Sequence, residues 1–311
     1  MSGVYTKRCV DDVLDTSEGA LPLKLQRIAE EELGETPAKR RDALQKLAEL
    51  LQEEEDLDAR RDSQFLLRFL RVRKYNLEAA LRNVCNYYRI RTTSGPVFDN
   101  FLPSKVSEAT RKLVMALPGK DIHGRRIFLF KPGSWMPDQS PYADVQRATV
   151  LCLEHLAKDP ATQTLGIVMM FDYAGLTPDK ILSMNVGLMR RGFEYLQECI
   201  PIRLKAMYAV RHGAAFDVFF AITKPFMKAK IIQRVRLFGE RFEELHKEIP
   251  PQVLPAEYGG HGPPLDFDGF WSDLVNCEEA EYQEDNAYGY VRTSNGDFAT
   301  TEEMENEATF L

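Results

Sequence analysis

Hydrophobic residues recur at helical spacing through the first third of the chain. An apolar leucine stripe predicts a helix over residues 37–57, starting at Pro37, and Asp62 is placed to cap a second helix that opens FLLRFL. A third helix is predicted from about Leu77 and ends before Gly95-Pro96. We predict no strand before residue 120, so this part of the chain is expected to form a small helical bundle.

The pattern changes in the middle of the chain, where short apolar runs alternate with helical stretches. The run GIVMMFD at 166–172 is continuously apolar, which is typical of a strand that is buried on both faces of a sheet. Strands are predicted at 124–130, 166–172 and 204–210, and helices at 145–156 and 178–200. This alternation indicates an α/β fold with a mostly parallel sheet.

Beyond the third strand we predict two helices, over 214–223 and 225–238, hinged at Pro225. From Asn276 the chain is polar and acidic without apolar periodicity, which favours disorder. The predicted organisation is therefore a helical domain over 1–95, an α/β domain over 96–275 and an acidic tail over 276–311.

Composition and charge alter this outline in one respect. The 311 residues are 44% hydrophobic with a formal net charge of −7, which at first argues against nucleic acid or anionic membranes as partners. The charge is uneven, however: residues 61–275 hold 30 basic and 22 acidic side chains, whereas 276–311 hold 10 acidic and one basic. Basic residues are densest over 203–241. Such blocks are often only solvated surfaces.

The motifs of common enzyme classes are missing from the sequence. There is no G-x-G-x-x-G or Walker A loop, no G-x-S-x-G turn, and no pair of histidines at metal-binding spacing among the five. Asp172 ends a predicted buried strand, but it has no catalytic partner in sequence, so we interpret it as structural. We expect neither an enzyme nor a metal or organic cofactor.

Cysteine spacing and hydropathy indicate a cytoplasmic protein. The five cysteines are odd in number and form no CxxC pair, as expected of reduced thiols. The N-terminal segment lacks the apolar stretch of a secretory signal, and the apolar run at 214–222 is too short to span a bilayer. Any membrane contact is therefore expected to be peripheral.

Residues 214–238 carry the most unusual pattern in the chain. Phe216, Phe219 and Phe220 concentrate large apolar side chains on a short helix, which suits either a core helix or a lid over an apolar cavity. On the predicted next helix, Lys230 and Arg234 stand four residues apart. Like charges at this spacing destabilise a helix by about 0.2–0.5 kcal/mol, and an anionic ligand would relieve the repulsion.

Several long motifs in order give the chain a specific resemblance over about residues 35–275. It resembles the CRAL-TRIO lipid-transfer proteins, particularly the branch of α-tocopherol transfer protein and cellular retinaldehyde-binding protein. The motifs are FLLRFLRVRKYNLEAAL (65–81), GIVMMFDYAGL (166–176), IPIRLKAMYAV (200–210), KPFMKAKIIQRVRLFG (224–239) and LPAEYGG (254–260). The resemblance implies a helical N-terminal domain and an α/β domain that encloses one hydrophobic lipid under a helical gate.

The resemblance also implies two sets of site residues. A phosphoinositide headgroup would be held by Arg73, Arg203, Lys230 and Arg234, of which Arg203 replaces a lysine of tocopherol transfer protein; ordinary salt bridges to nearby acids are the alternative. The implied pocket is lined by Thr149, Val150, Leu153, Phe171, Met184, Tyr195, Leu196, Ile200, Phe216, Phe219 and Ile222. Leu153 replaces a hydroxyl residue of tocopherol transfer protein, and Gly192 and Tyr195 differ in size from their counterparts, so α-tocopherol itself is in doubt.

Two hypotheses of different classes follow. The first is a cytoplasmic carrier that binds one tocopherol- or retinoid-like lipid and transfers it at phosphoinositide-containing endosomal or plasma membranes. The second is a phosphoinositide-recruited adaptor, in which lipid occupancy and the acidic tail regulate protein partners. The C-terminal Thr309-Phe310-Leu311 fits the loose pattern of a PDZ ligand, although so short a pattern often arises by chance. No nucleic-acid partner is expected.

Overall fold

The structure, a computed structural model, describes residues 21–290. Cys9, the N-terminal segment examined for a signal and the PDZ-like C-terminus lie outside the described residues.

The N-terminal part is helical, as predicted, and its helices begin at side-chain caps. Thr36 accepts a hydrogen bond from the Lys39 amide, Asp62 from the Phe65 amide, and Asn76 from the Ala79 amide. The elements are α1 (Leu23–Leu33), α2 (Pro37–Glu53), the two-residue strand β1 (Leu57–Asp58), α3 (Ser63–Val72), α4 (Leu77–Thr93) and the short α5 (Gly95–Phe98).

Aromatic side chains fill the space between α2, α3 and α4. Phe65 and Phe69 lie 5.0 Å apart between ring centroids, and Tyr87 contacts both rings. Arg71 is fully buried at the edge of this bundle, where it pairs with Glu35 at 2.8 Å and donates to Gln163 at 2.7 Å. The hydrogen bond from Arg71 to Gln163 connects the helical bundle to the α/β part that follows it.

A five-stranded sheet organises the rest of the chain, and its order is β2-β3-β4-β5-β6. β2 and β3 form an antiparallel hairpin, and β3 to β6 are parallel, which confirms the predicted α/β class with a mostly parallel sheet. The strands are β2 (Val114–Lys120), β3 (Arg126–Phe130), β4 (Ile167–Asp172), β5 (Leu204–Val210) and β6 (Val235–Gly239).

Helices cover both faces of the sheet. Along β4, Ile167 and Met169 belong to one buried cluster while Val168 and Met170 belong to another, so the strand is buried on both sides as its apolar run predicted. The helices are α6 (Glu108–Arg111), α7 (Tyr142–Lys158), α8 (Pro160–Leu165), α9 (Pro178–Ser183), α10 (Val186–Glu194), α11 (Ala215–Thr223), α12 (Ala229–Ile232), α13 (Phe242–Leu245) and α14 (Phe267–Asn276).

Two strands contradict the expectation that none precedes residue 120. β2 contains Pro118 and Gly119, residues that normally interrupt strands. Pro118 is tolerated because β2 lies at the sheet edge, where the amide donor that proline lacks is not needed. β1 is only two residues long and pairs with a strand far along the chain, so no local pattern reveals it.

The helix predicted over 225–238 is also wrong. Only α12 is helical within that range, apart from a 3₁₀ turn at Lys224–Phe226, and Val235–Gly239 forms the edge strand β6. The long helix predicted over 178–200 is broken at Met184–Asn185, where Asn185 caps α10, and it ends in a π-helical segment, Tyr195–Cys199.

The polar segment after Asn276 is ordered up to residue 290, contrary to the predicted disorder. Tyr282 is 2% exposed, with Lys158 over its ring, and β7 (Gly289–Tyr290) pairs antiparallel with β1. Packing against distant parts of the chain orders this segment despite its acidic composition. The division at residues 95 and 275 stays a prediction.

Candidate functional site

An apolar cavity lies between one face of the sheet and helices α7, α10 and α11. It contains about 940 Å³ of atom-free space, its open mouth included. The side chains lining it include Thr149, Val150, Leu153, Met169, Phe171, Met189, Phe193, Tyr195, Leu196, Met207, Phe216, Phe219, Phe220, Met227 and Val235. No described residue that lines the cavity is charged.

Eight of the eleven pocket residues implied by the family resemblance line this cavity. Met184 is instead buried in the core beside it, and Ile222 packs against that core from the far end of α11. Ile200 lines a neighbouring cleft. These three do not line the cavity: the helix predicted over 178–200 is broken at Met184–Asn185, and α11 turns only part of its apolar surface inward.

α11 covers the cavity with one layer of aromatic rings. Phe216 is buried against Tyr173, with ring centroids 4.8 Å apart, and Phe219 lies 5.6 Å from the same ring. The opposite side of α11 is open to solvent, where Val218 is 52% exposed. α11 therefore separates this part of the cavity from solvent by a single layer of side chains.

Several residues that line the cavity were not predicted from the sequence. Tyr142 and Gln146 line the cavity from the first turns of α7, on the same helical face as Thr149 and Leu153, so extending the apolar face of α7 backwards identifies them. Phe130 and Val235 line it from β3 and β6. Only the sheet order brings those two strands to the cavity, so no local signal reveals them.

A polar network supports the inner wall of the cavity. The buried carboxylate of Glu154 accepts hydrogen bonds from Tyr87 at 2.9 Å and from Tyr195 at 2.8 Å. Arg91 lies 3.5 Å from the same carboxylate and donates to the Tyr87 hydroxyl at 2.6 Å. Tyr195 lines the cavity, so this network fixes part of the wall to α4.

A second, basic cleft lies next to the cavity. It is lined by the four residues expected to hold a phosphoinositide headgroup, Arg73, Arg203, Lys230 and Arg234. Arg73 follows α3, Arg203 precedes β5, Lys230 is on α12, and Arg234 precedes β6. Lys74, Lys205 and Lys228 line the same cleft and were not predicted.

The predicted helical spacing of Lys230 and Arg234 is wrong, although both side chains reach the cleft. α12 ends at Ile232, so the two residues are not neighbours on one helix face. Arg234 donates to the Leu204 carbonyl oxygen instead. Its pKa is lowered by burial and by the nearby Arg203, so positive charge is concentrated here. Among residues 21–290, neither Lys230 nor Arg234 forms an ion pair.

Two glutamates neutralise part of the cleft, as the salt-bridge alternative anticipated. Glu32 of α1 lies 2.7 Å from Arg203 and 3.0 Å from Lys205. Glu198 pairs with Lys228 and lies 4.0 Å from Arg73. Partial burial acts to raise the pKa of Glu32, but the hydrogen bonds from Arg203 and Lys205 outweigh it and lower that pKa.

The segment Tyr195–Cys199 forms a common wall between cavity and cleft. Leu196 lines both. The side chain of Gln197 donates to the Phe226 carbonyl oxygen at 2.9 Å and accepts from the Lys228 amide at 2.7 Å, so it holds the chain that follows α11. π-helical segments such as this one often occur at functional sites.

Residues 21–290 contain no cluster of three or more potential metal ligands and no helix long and apolar enough to cross a membrane. Asp172 pairs with Arg211 and accepts a hydrogen bond from the Tyr258 hydroxyl at 3.0 Å, which is the structural role predicted for it.

Comparison with known proteins shows which sequences this chain is similar to. The family model for the CRAL/TRIO domain matches residues 110–260. The human alpha-tocopherol transfer protein-like protein is 34% identical over 82% of this chain and 75% of its own length. Clavesin-1 of Xenopus laevis is 30% identical over 83% of this chain and 78% of its own. A solved structure, the crystal structure of Sfh5, aligns with 92% of this chain and 97% of its own at a TM-score of 0.48 and 10% identity.

Proposed function

The chain belongs to the CRAL-TRIO lipid-transfer family, and from that premise we propose that it carries one small tocopherol- or retinoid-like lipid between phosphoinositide-containing membranes. The lipid would occupy the apolar cavity, and the headgroup would bind in the basic cleft. The proposed role is binding and transport, without catalysis and without a metal or organic cofactor.

One observation carries the proposal: the cavity and the cleft share a wall. Leu196 faces both, and the neighbouring Gln197 is bonded to the chain that ends the gate. An apolar cavity alone would support storage of a lipid, and a basic cleft alone would support recruitment to a membrane. Their common wall supports a function in which membrane contact and lipid exchange are linked.

The charge of the cleft suits reversible docking. Each basic residue at an anionic membrane surface contributes about 1 kcal/mol, so the four predicted residues contribute roughly 4 kcal/mol. Exposed apolar side chains lie on the gate and on the preceding helices, since Leu182 is 83%, Val186 is 51% and Val218 is 52% exposed. Together these features support peripheral contact that a carrier is able to release.

Competition for the cleft cations provides a mechanism for opening the gate. A phosphate group bound by Arg73 and Lys228 would displace Glu198 from its ion pair with Lys228. Lys228 also donates its backbone amide to Gln197, so moving Lys228 strains the bonds that hold the end of α11. The headgroup would thereby free α11 to move away from the cavity while the mouth faces the bilayer.

The energetics favour such a trigger. Burying roughly 500 Å² of apolar lipid surface gains about 12 kcal/mol at about 25 cal/mol per Å² relative to water. The same surface is already buried in a membrane, which offsets most of that gain. Exchange therefore depends on the barrier for opening the gate more than on affinity, and the proposed trigger acts on that barrier.

We propose a cytoplasmic protein that visits endosomal or plasma membranes. The adaptor alternative, with its PDZ-type partner, rests on the tail beyond residue 290, and no observation on the described residues favours it.

Native mass spectrometry of the freshly purified protein, followed by extraction of the bound lipid, tests the carrier function. We expect one lipid per chain, and transfer of that lipid between liposomes that is faster when the acceptor contains phosphatidylinositol bisphosphate. A protein that purifies empty and transfers no lipid to either acceptor would overturn the proposal.

A further inference from the structure

Three polar side chains at one end of the cavity have unused hydrogen-bonding capacity. Elsewhere in the cavity wall the polar groups are engaged by the protein. The Thr149 hydroxyl donates to the Val145 carbonyl oxygen at 2.9 Å, and the Tyr208 hydroxyl to Glu248 at 3.0 Å. The Tyr195 hydroxyl is held by Glu154. These groups need no ligand.

Tyr142 and Gln146, one turn apart on α7, are the first exception. The side-chain amide of Gln146 donates to the Tyr142 hydroxyl oxygen at 3.1 Å. This leaves the Tyr142 proton and the Gln146 carbonyl oxygen, Oε1, without a partner among the described residues. Oε1 lies 2.5 Å from the point that a Cβ on Gly192 would occupy, so the glycine on α10 provides the space for this amide.

Tyr173 is the second exception. It is 7% exposed and lines the cavity, and its hydroxyl forms no hydrogen bond with any described residue. The hydroxyl is accessible from the cavity, so it is free to bond to a ligand there. Its ring is held by Phe216 of the gate helix, which fixes where the hydroxyl sits.

The two tyrosines lie at the same end of the cavity. The segment that follows β3 contacts both: Trp135 packs against the Tyr142 ring at 5.4 Å, and the backbone of Tyr173–Ala174 packs against Gly133. Pro132, in the same segment, lines the cavity. Leu153, towards the opposite end, is about three turns of α7 from Tyr142, or about 16 Å at 1.5 Å per residue.

The chemistry of this polar end selects a class of ligand. It offers two O–H donors and one carbonyl acceptor within an uncharged cavity. A hydroxyl group matches it, because its oxygen accepts from a tyrosine while its proton is donated to Gln146 Oε1. A carboxylate would be buried here without a cation and opposite a carbonyl oxygen, which is unfavourable.

Resting on the proposed carrier function, we propose that Tyr142, Gln146 and Tyr173 form a recognition site for the hydroxyl group of a lipid alcohol. The hydroxyl lies at the amino-terminal end of α7, beside the gate, and the hydrocarbon tail extends along α7 towards Leu153.

A ligand series with one tail and different head groups tests this site on the full chain. Dodecan-1-ol, its methyl ether and dodecanoate are compared by competition against tritiated dodecan-1-ol. The expected order of affinity is alcohol, then ether, then carboxylate. Tyr173→Phe should weaken binding of both alcohol and ether about threefold to tenfold, the effect of one net hydrogen bond. Gln146→Leu should remove the advantage of the alcohol over the ether.

The distant variant Tyr290→Phe serves as the matched control and should leave all three affinities unchanged, and thermal unfolding verifies that each variant is folded. Equal binding of alcohol and ether by the unmodified protein, or an unchanged alcohol affinity in Tyr173→Phe, would overturn the hydroxyl site while leaving the carrier function intact. Failure of the unmodified protein to bind any member of the series would overturn the hydroxyl site, whereas the carrier function is overturned only if the protein also purifies empty and transfers no lipid.

Discussion

The carboxylate of Glu32 lies 2.7 Å from the guanidinium of Arg203, so a side chain of the first helix already occupies part of the basic cleft. The same carboxylate lies 3.0 Å from Lys205. An anionic headgroup that binds Arg203 must therefore displace Glu32, and the first helix competes with the membrane for the same cations.

Removing the charge of Glu32 should strengthen headgroup binding. Glu32 is 44% exposed, so solvent screens the pair and the expected gain in affinity is only about twofold to fivefold. Flotation of Glu32→Gln with vesicles containing phosphatidylinositol bisphosphate measures it. The neighbouring exposed Glu31→Gln is the matched control and should leave the affinity unchanged. Equal affinities for the two variants would contradict the competition.

Acid should release the first helix from the cleft. The pKa of Glu32 is lowered in the folded protein, so the ion pair contributes stability above the ordinary carboxyl pKa of 4.5 and loses it as the pH falls through the lowered value. Hydrogen exchange of α1, corrected for intrinsic rates, should therefore show less protection at the lower pH. This pH-dependent loss of protection should be absent in Glu32→Gln. An equal loss in the unmodified protein and in Glu32→Gln would show that other groups cause it.

Filling the space beside Gly192 should block the cavity. A leucine at this position must push Gln146 from the wall, because even a Cβ would lie 2.5 Å from its amide oxygen. We expect Gly192→Leu to purify with less than about a tenth of the bound lipid, a penalty typical of overpacking a closed site. Gly187→Leu, on the exposed surface of the same helix, should retain its lipid. Full occupancy of Gly192→Leu in native mass spectra would contradict the assigned position of the cavity.

Removing the Glu154 carboxylate should destabilise the protein strongly. Glu154→Leu leaves the hydroxyls of Tyr87 and Tyr195 without their acceptor and Arg91 without its buried partner. The expected loss in the free energy of unfolding is about 3–5 kcal/mol by urea denaturation. Tyr195→Phe removes one hydrogen bond and should cost only about 1 kcal/mol. Similar losses for the two variants would show that the network is not coupled.

Local patterns in the sequence predicted most of the helices and the central strands. The caps at Thr36, Asp62 and Asn76 and the apolar run of β4 act over a few residues, so they are visible without a structure. β6 was missed because its short apolar run follows a basic helical turn and resembles its continuation. It is a strand because β5 offers it an unpaired edge, which is a tertiary effect.

The basic cleft was predicted from the sequence more completely than the polar end of the cavity. The family resemblance placed four cations in one cleft, although the helical spacing argument for Lys230 and Arg234 was incorrect. It did not reveal Glu32 and Glu198, because their positions depend on how α1 and the π-helical segment pack. The polar end of the cavity was also missed, since Tyr142, Gln146 and Tyr173 become one group only when α7 and the end of β4 meet.

Charge reversal tests most directly whether the basic cleft couples membrane contact to lipid exchange. Lys230→Glu/Arg234→Glu is compared with Lys46→Glu/Lys112→Glu, which makes the same change of charge at exposed lysines outside the cleft. Lipid transfer between liposomes is measured with and without phosphatidylinositol bisphosphate in the acceptor. We expect the cleft variant to keep its bound lipid but to lose the acceleration by phosphoinositide, whereas the control variant retains that acceleration. Transfer by the cleft variant that is still accelerated to the same extent would contradict the coupling.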